Sequence, residues 1–86
     1  MKKAVFKYFD EFYDEELVYN SDSEDNKWIK NSSHSLGYDM GSNILFYENI
    51  LCENIHSIYG VKVEEFRKLL IEWFSTKYNL PVKSAI

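Results

Sequence analysis

A chain of 86 residues carrying a net charge of −4, with 28% charged residues and a mean hydropathy of −0.41, has room for one small core and is too polar for a membrane protein. Its single cysteine, Cys52, excludes an intramolecular disulfide framework, and its acidity argues against direct binding of nucleic acid, which needs a clustered basic surface. Lys7 and Asp10 break the short apolar run that a secretory signal would require, so a single cytoplasmic domain spanning residues 1–86 is expected.

Set at 100° intervals, residues 3–17 divide into two halves. Val5, Phe6, Tyr8, Phe9, Phe12, Tyr13 and Leu17 share one, and Lys3, Lys7, Asp10, Glu11, Asp14 and Glu15 the other, with only Glu16 on the wrong side. Read as a strand, the same segment mixes both faces, so an N-terminal amphipathic helix is predicted. Leu17, Val18 and Tyr19, the polar run 20–26 and then Lys27, Trp28, Ile29 and Lys30 suggest a β-hairpin with a long turn. Residues 31–43 are rich in Asn, Ser and Gly and read as a connecting loop, with Ser42 or Asn43 capping a helix over 44–59. In that helix Ile44, Tyr47, Leu51, Ile55 and Ile58 form one stripe, and Gly60 fits the position just past its end. A last helix over 63–78 buries Val63, Phe66, Leu70, Trp73 and Phe74 and stops at Asn79-Leu80-Pro81. Residues 82–86 suit a short strand or a frayed end. The expected fold class is therefore α+β: an N-terminal helix, a β-hairpin, then two packed C-terminal helices.

The charge is not spread evenly. Residues 10–25 hold eight carboxylates and no Lys or Arg, while residues 1–9 carry three lysines and residues 27–86 hold seven basic against six acidic groups. On the first helix this order opposes the backbone dipole, which favours anions at the N-terminus and cations at the C-terminus by roughly 0.3–1 kcal/mol per charge. Asp10 with Asp14 and Glu11 with Glu15 add like-charge repulsion one turn apart. Five carboxylates from Asp10 to Glu16 would span about 9 Å of helix at about 1.5 Å per residue, near the density of duplex DNA at one charge per about 1.7 Å. The same acids also suit a solvated helix face and an acidic turn that keep an aromatic-rich chain in solution.

In its run Tyr8-Phe-Asp-Glu-Phe-Tyr-Asp-Glu-Glu-Leu-Val-Tyr-Asn20, and in being short, acidic and aromatic-rich, the chain resembles the small anti-CRISPR and anti-restriction proteins of phages, some of which imitate DNA to block a nuclease. The resemblance lies in composition and carries no motif. It implies a non-enzymatic inhibitor that binds a basic protein partner, such as a nucleic-acid-binding nuclease. The expected contact residues are Asp10, Glu11, Asp14 and Glu15 on the helix, Asp22, Glu24 and Asp25 in the turn, and Tyr8 and Phe12 as aromatic anchors at its border.

Catalytic signals are weak by comparison. Glu48, Cys52 and His56 lie along one side of the predicted helix, but a structural zinc site takes four ligands and only His34 remains to be added. Asp22, Glu24 and Asp25 lack the glycine and terminal glutamate of a calcium loop. No glycine-rich phosphate loop or nucleophile elbow is present, so neither an enzyme nor a cofactor or metal is expected. The last helix, read as the recognition helix of a helix-turn-helix, would turn Glu64, Glu65 and Glu72 towards phosphates. With fifteen aromatic residues some must be exposed, and Phe46 and Ile50 off the main stripe make a self-associating structural or adaptor subunit the alternative reading.

Overall fold

In a computed structural model of the chain, the structure describes residues 1–13, 18–19, 26–30 and 35–86, the strand residues 18, 19, 26–30 and 35 by their backbone. The order is α1 (Lys2–Phe12), β1 (Val18–Tyr19), β2 (Asn26–Lys30), β3 (Ser35–Asp39), β4 (Ile44–Tyr47), α2 (Asn49–Tyr59), α3 (Val63–Tyr78) and β5 (Ser84–Ala85). This is an α+β arrangement in the order expected: a helix, a strand pair formed by β1 and β2, and two C-terminal helices.

The sheet holds more than that pair. Among the described residues five strands lie side by side in sequence order, antiparallel from β1 to β4, with β5 returning parallel to β4. Residues 31–43 were expected to be loop, yet Ser35–Asp39 is a strand; Ile44–Tyr47, expected to open a helix, is its hairpin partner. Leu36 and Tyr38 alternate inward opposite Tyr47 and Leu45, a period of two that the Asn, Ser and Gly around them obscure. The turn between the strands has its own chemistry. The Asp39 carboxylate accepts the Gly41 N–H at 2.9 Å, and Asn43 takes a left-handed φ of 59°.

The inward face of the sheet meets α3. The ring of Tyr38 lies 5.3 Å from that of Phe74, and Tyr47 stands edge-on to Phe66 at 5.0 Å. The Tyr38 hydroxyl donates to the carbonyl of Pro81 and lies 2.9 Å from the Asn43 side-chain amide. One buried phenol therefore ties the β3–β4 turn to the segment entering β5. That segment forms the short strand, with Ile86 N–H donating to Leu45 at 2.9 Å.

The two C-terminal helices stop where predicted, at Gly60 and Asn79, but α2 starts after Glu48 rather than at the expected cap of Ser42 or Asn43, because 44–47 pair with β3. Glu48, in extended conformation, precedes α2, and Gly60 ends it at a left-handed φ of 69°, its N–H bonded to the His56 carbonyl at 2.8 Å. In α3, Phe66, Leu70, Trp73 and Phe74 are buried as predicted, Glu64 and Glu65 occupy the first turn, and Lys77 the last. Two positions of the predicted stripes differ: Ile58 and Val63 flank the tight turn between the helices and are exposed. Helix α1 lies across α3, its fully buried Phe9 5.3 Å from the Trp73 ring and 6.0 Å from that of Phe66. Each such side chain contributes about 1.5–3 kcal/mol through the area it removes from water. Among the described residues no helix is long and apolar enough to cross a membrane.

Candidate partner-binding surface

The periodicity of α1 sets its ridge of Val5, Phe9 and Tyr13 into the core, all three fully buried. That ridge leaves two flanks, one facing α3 and one facing α2. The two flanks treat their charges differently.

On the α3 side, Asp10 is engaged by the protein's own groups. Its Oδ1 accepts the indole N–H of Trp73 at 2.7 Å and lies 3.6 Å from the Lys77 ammonium. Lys77 in turn donates to the Tyr13 carbonyl at 3.1 Å and stands over the rings of Trp73 and Tyr78 at 5.1 and 5.8 Å. A buried indole needs an acceptor, and Trp73 is almost wholly buried. The carboxylate thus ties α1 to α3. At the other end of this seam Lys2 pairs with Glu72 and caps the Phe6 ring at 5.6 Å. Between the two ion pairs lies an open cleft of about 210 Å³ lined by Phe6, Asp10, Trp73, Thr76 and Lys77.

On the α2 side, Tyr8 stacks on Phe12 at 4.8 Å and meets Tyr59 edge-on at 6.3 Å. Both expected aromatic anchors are half-buried. Burial pushes the Tyr8 phenol up, a hydrogen bond with Asn54 opposes this, and Tyr59 adds to it. Glu11 is exposed on the outer edge of this flank, and Glu48, also exposed, sits at the start of α2. Among the described residues neither has a cation within ion-pair distance. Beneath them the Tyr13 hydroxyl is fully buried with no hydrogen-bond partner among the described residues. Burial holds its phenol far above the usual tyrosine range, and the nearby Glu48 carboxylate and Tyr8 push it further up.

Of the other expected contact residues, Asp14, Glu15, Asp22, Glu24 and Asp25 lie outside the described residues. Asp10 and Glu11 are 100° apart on the helix, so they serve different flanks. The bond from Trp73 to Asp10 joins residues 63 apart in sequence, and only the general need of a buried indole for an acceptor could have hinted at it.

The remaining chemistry is structural. Burial pushes the Cys52 thiol up, Arg67 partly offsets this, and Glu53 adds to it, which disfavours a reactive thiolate. Arg67 Nε donates to the Tyr47 hydroxyl at 3.0 Å, and His56 Nδ1 meets the Val61 carbonyl at 3.1 Å, closing the α2–α3 turn. No group of three metal-ligating side chains occurs among the described residues. Phe46 lies on β4 while Ile50 lies on α2, so they do not share the helical face that the sequence suggested.

Comparison of the chain with protein-family models, curated proteins and solved structures finds no match.

Proposed function

We propose that this is a non-enzymatic, cytoplasmic binding protein that inhibits its partner by laying an acidic segment into a basic, nucleic-acid-binding site, in the manner of anti-CRISPR and anti-restriction inhibitors. One observation carries the reading: eight carboxylates within residues 10–25, uninterrupted by any cation, the first two of them, Asp10 and Glu11, in the last turn of α1 against its dipole. The geometry of α1 narrows the contact set. Asp10 already holds Trp73 and Lys77, so Glu11 and the carboxylates from Asp14 to Asp25 supply the attraction, with Tyr8 and Phe12 beside them.

Capture from a nuclease-rich bacterial lysate tests this at low and at high sodium chloride. A partner retained at low salt and released at high salt, and lost when Asp14, Glu15, Asp22, Glu24 and Asp25 are all changed to Ser, is the expected result, because exposed charges attract through a screened field. Retention of the partner by the Ser variant eliminates the proposal. Self-association remains the second reading, favoured by Ile50 and Ile58, which are 40% and 57% exposed on α2. Light scattering across a hundredfold range of concentration separates the two, since a strict monomer excludes an adaptor built on its own copies.

A further inference from the structure

The sheet uses its two faces unequally. Leu36, Tyr38, Leu45 and Ala85 are buried on the face that meets α3, and both α1 and α2 pack against α3 in turn, so the helices gather on that side. Successive residues of a strand alternate between faces, and residues directly opposite on paired strands share one. The register therefore sets Val18, Trp28, Gly37 and Phe46 in one row across β1 to β4 on the other face, with Ile44 two residues before Phe46. Gly37, at the centre of the row, is buried. Ile44 and Phe46 are half-buried, and unlike their neighbours Leu45 and Tyr47 they take no part in the hydrophobic core. Two aromatic and two aliphatic residues thus belong to the face turned away from the helices, and an apolar row of this kind marks an interface.

The charges of that face point to its occupant. Lys30 lies at one end, opposite Ser35, and Asp39 at the other, opposite Asn26, one charge of each sign. A basic partner finds no surplus of acid there, and an acidic partner no surplus of base. A second copy of the chain matches both the row and its ends. Turning one sheet over about an axis along the row sets Trp28 and Phe46 against their counterparts and brings the Lys30 position of each copy beside the Asp39 position of the other, one strand away at about 4.8 Å. Such a two-fold contact is isologous, so each complementary pair forms twice. Sheets stacked in this way lie about 10 Å apart, a gap that side chains from both inner faces fill.

We infer that the face of the sheet bearing Trp28, Gly37, Phe46 and Ile44 is a two-fold interface between two copies of this chain. The inference goes beyond the acidic-segment reading and stands without it. Its consequence for that reading is avidity, because a dimer presents two acidic segments to one partner.

The test is sedimentation velocity of the full chain over a hundredfold range of concentration reaching the millimolar range, followed by isotope-filtered NOE spectra of ¹³C-labelled chain mixed with unlabelled chain. The expected result is a reversible dimer with intermolecular NOEs between the rings of Phe46 and Trp28 and those of the second copy. Phe46→Thr keeps a β-branched residue on the strand and should weaken association by about tenfold or more. Lys30→Glu should weaken it by about threefold. Ile58→Ser, on α2, should leave it unchanged. Thermal unfolding checks that each variant is folded, and if Phe46→Thr is not, Lys30→Glu and the NOEs decide. A strict monomer, intermolecular NOEs confined to Ile50 and Ile58, or association unchanged in a folded Phe46→Thr chain overturns the inference. NOEs to the Phe46 ring from residues 20–25 or 31–34 of the same chain overturn it too, since the face is then covered from within. Partner capture by the Phe46→Thr chain at low salt reports on the acidic segment alone, so either reading can fail without the other.

Discussion

The two sides of α1 show the same residue type used in opposite ways. Asp10 and Glu11 are adjacent acids on one exposed helix, yet Asp10 is a tether and Glu11 is not. What separates them is 100° of rotation and the presence of an indole on the α3 side. A carboxylate next to a buried donor is drawn into the architecture, because leaving the Trp73 N–H without an acceptor costs more than desolvating one edge of Asp10. An exposed carboxylate with no such donor beside it keeps its field for whatever approaches. Charge density along a sequence therefore overstates the charge available to a partner, and the α3 seam is where part of it is spent.

Removing the ridge between the flanks should have the largest effect. Phe9 is fully buried against Phe66 and Trp73, so Phe9→Ala should cost about 3–5 kcal/mol. That is a large share of the roughly 5–15 kcal/mol available to a domain of this kind. Denaturant unfolding should show a midpoint shifted far down or a chain unfolded in water. A loss under 1 kcal/mol would mean that α1 does not dock on α3 as described.

Next in size is the contrast between the two acids. Asp10→Ala leaves the Trp73 N–H buried without its acceptor and Lys77 without its anion, and should cost about 1–3 kcal/mol. Glu11→Ala should stay within about 0.5 kcal/mol of the parent, as exposed substitutions do. Equal values for the pair would erase the distinction between the flanks. Trp73→Phe keeps the ring but removes the donor. In that background Asp10→Ala should lose much less, and a double-mutant cycle reads the coupling directly.

These contrasts also show what could be read before any coordinates. Helix α3 was legible because sixteen residues of consistent periodicity leave little ambiguity, and Gly60 because an αL residue after a helix favours glycine. The β3–β4 hairpin was not. Ile44, Tyr47, Leu51 and Ile55 match a helical stripe by coincidence, and a four-residue apolar run such as Ile-Leu-Phe-Tyr has no period of its own. Pairing with β3 decided the matter, and pairing is a property of two segments. The Asx turn at Asp39 and the left-handed Asn43 were local signals of that hairpin. For the candidate surface, composition disclosed the acids and the aromatic border, but the fate of Asp10 depended on Trp73 and Lys77 far along the chain.

The smallest effect near neutral pH concerns Tyr13, and its sign depends on pH. Because its hydroxyl is buried without a partner among the described residues, Tyr13→Phe removes a group that lost its hydration on folding, and the change should be neutral or stabilising by up to about 1 kcal/mol at pH 7. Alkaline pH sharpens the comparison. The folded state holds this phenol protonated far above the ordinary value of 10.0, chiefly through burial. The unfolded chain then ionises first, and binds fewer protons than the folded state as pH rises past that value. Stability should be unaffected by this residue below about pH 9 and should fall above pH 10, approaching about 1.4 kcal/mol per pH unit for one proton. Tyr8 and Tyr38, also raised mainly by burial, add to the same decline. In Tyr13→Phe the decline should be shallower by one proton's slope, read from urea midpoints between pH 9 and 11.5. An unchanged slope would mean that the phenol reaches water in the folded protein.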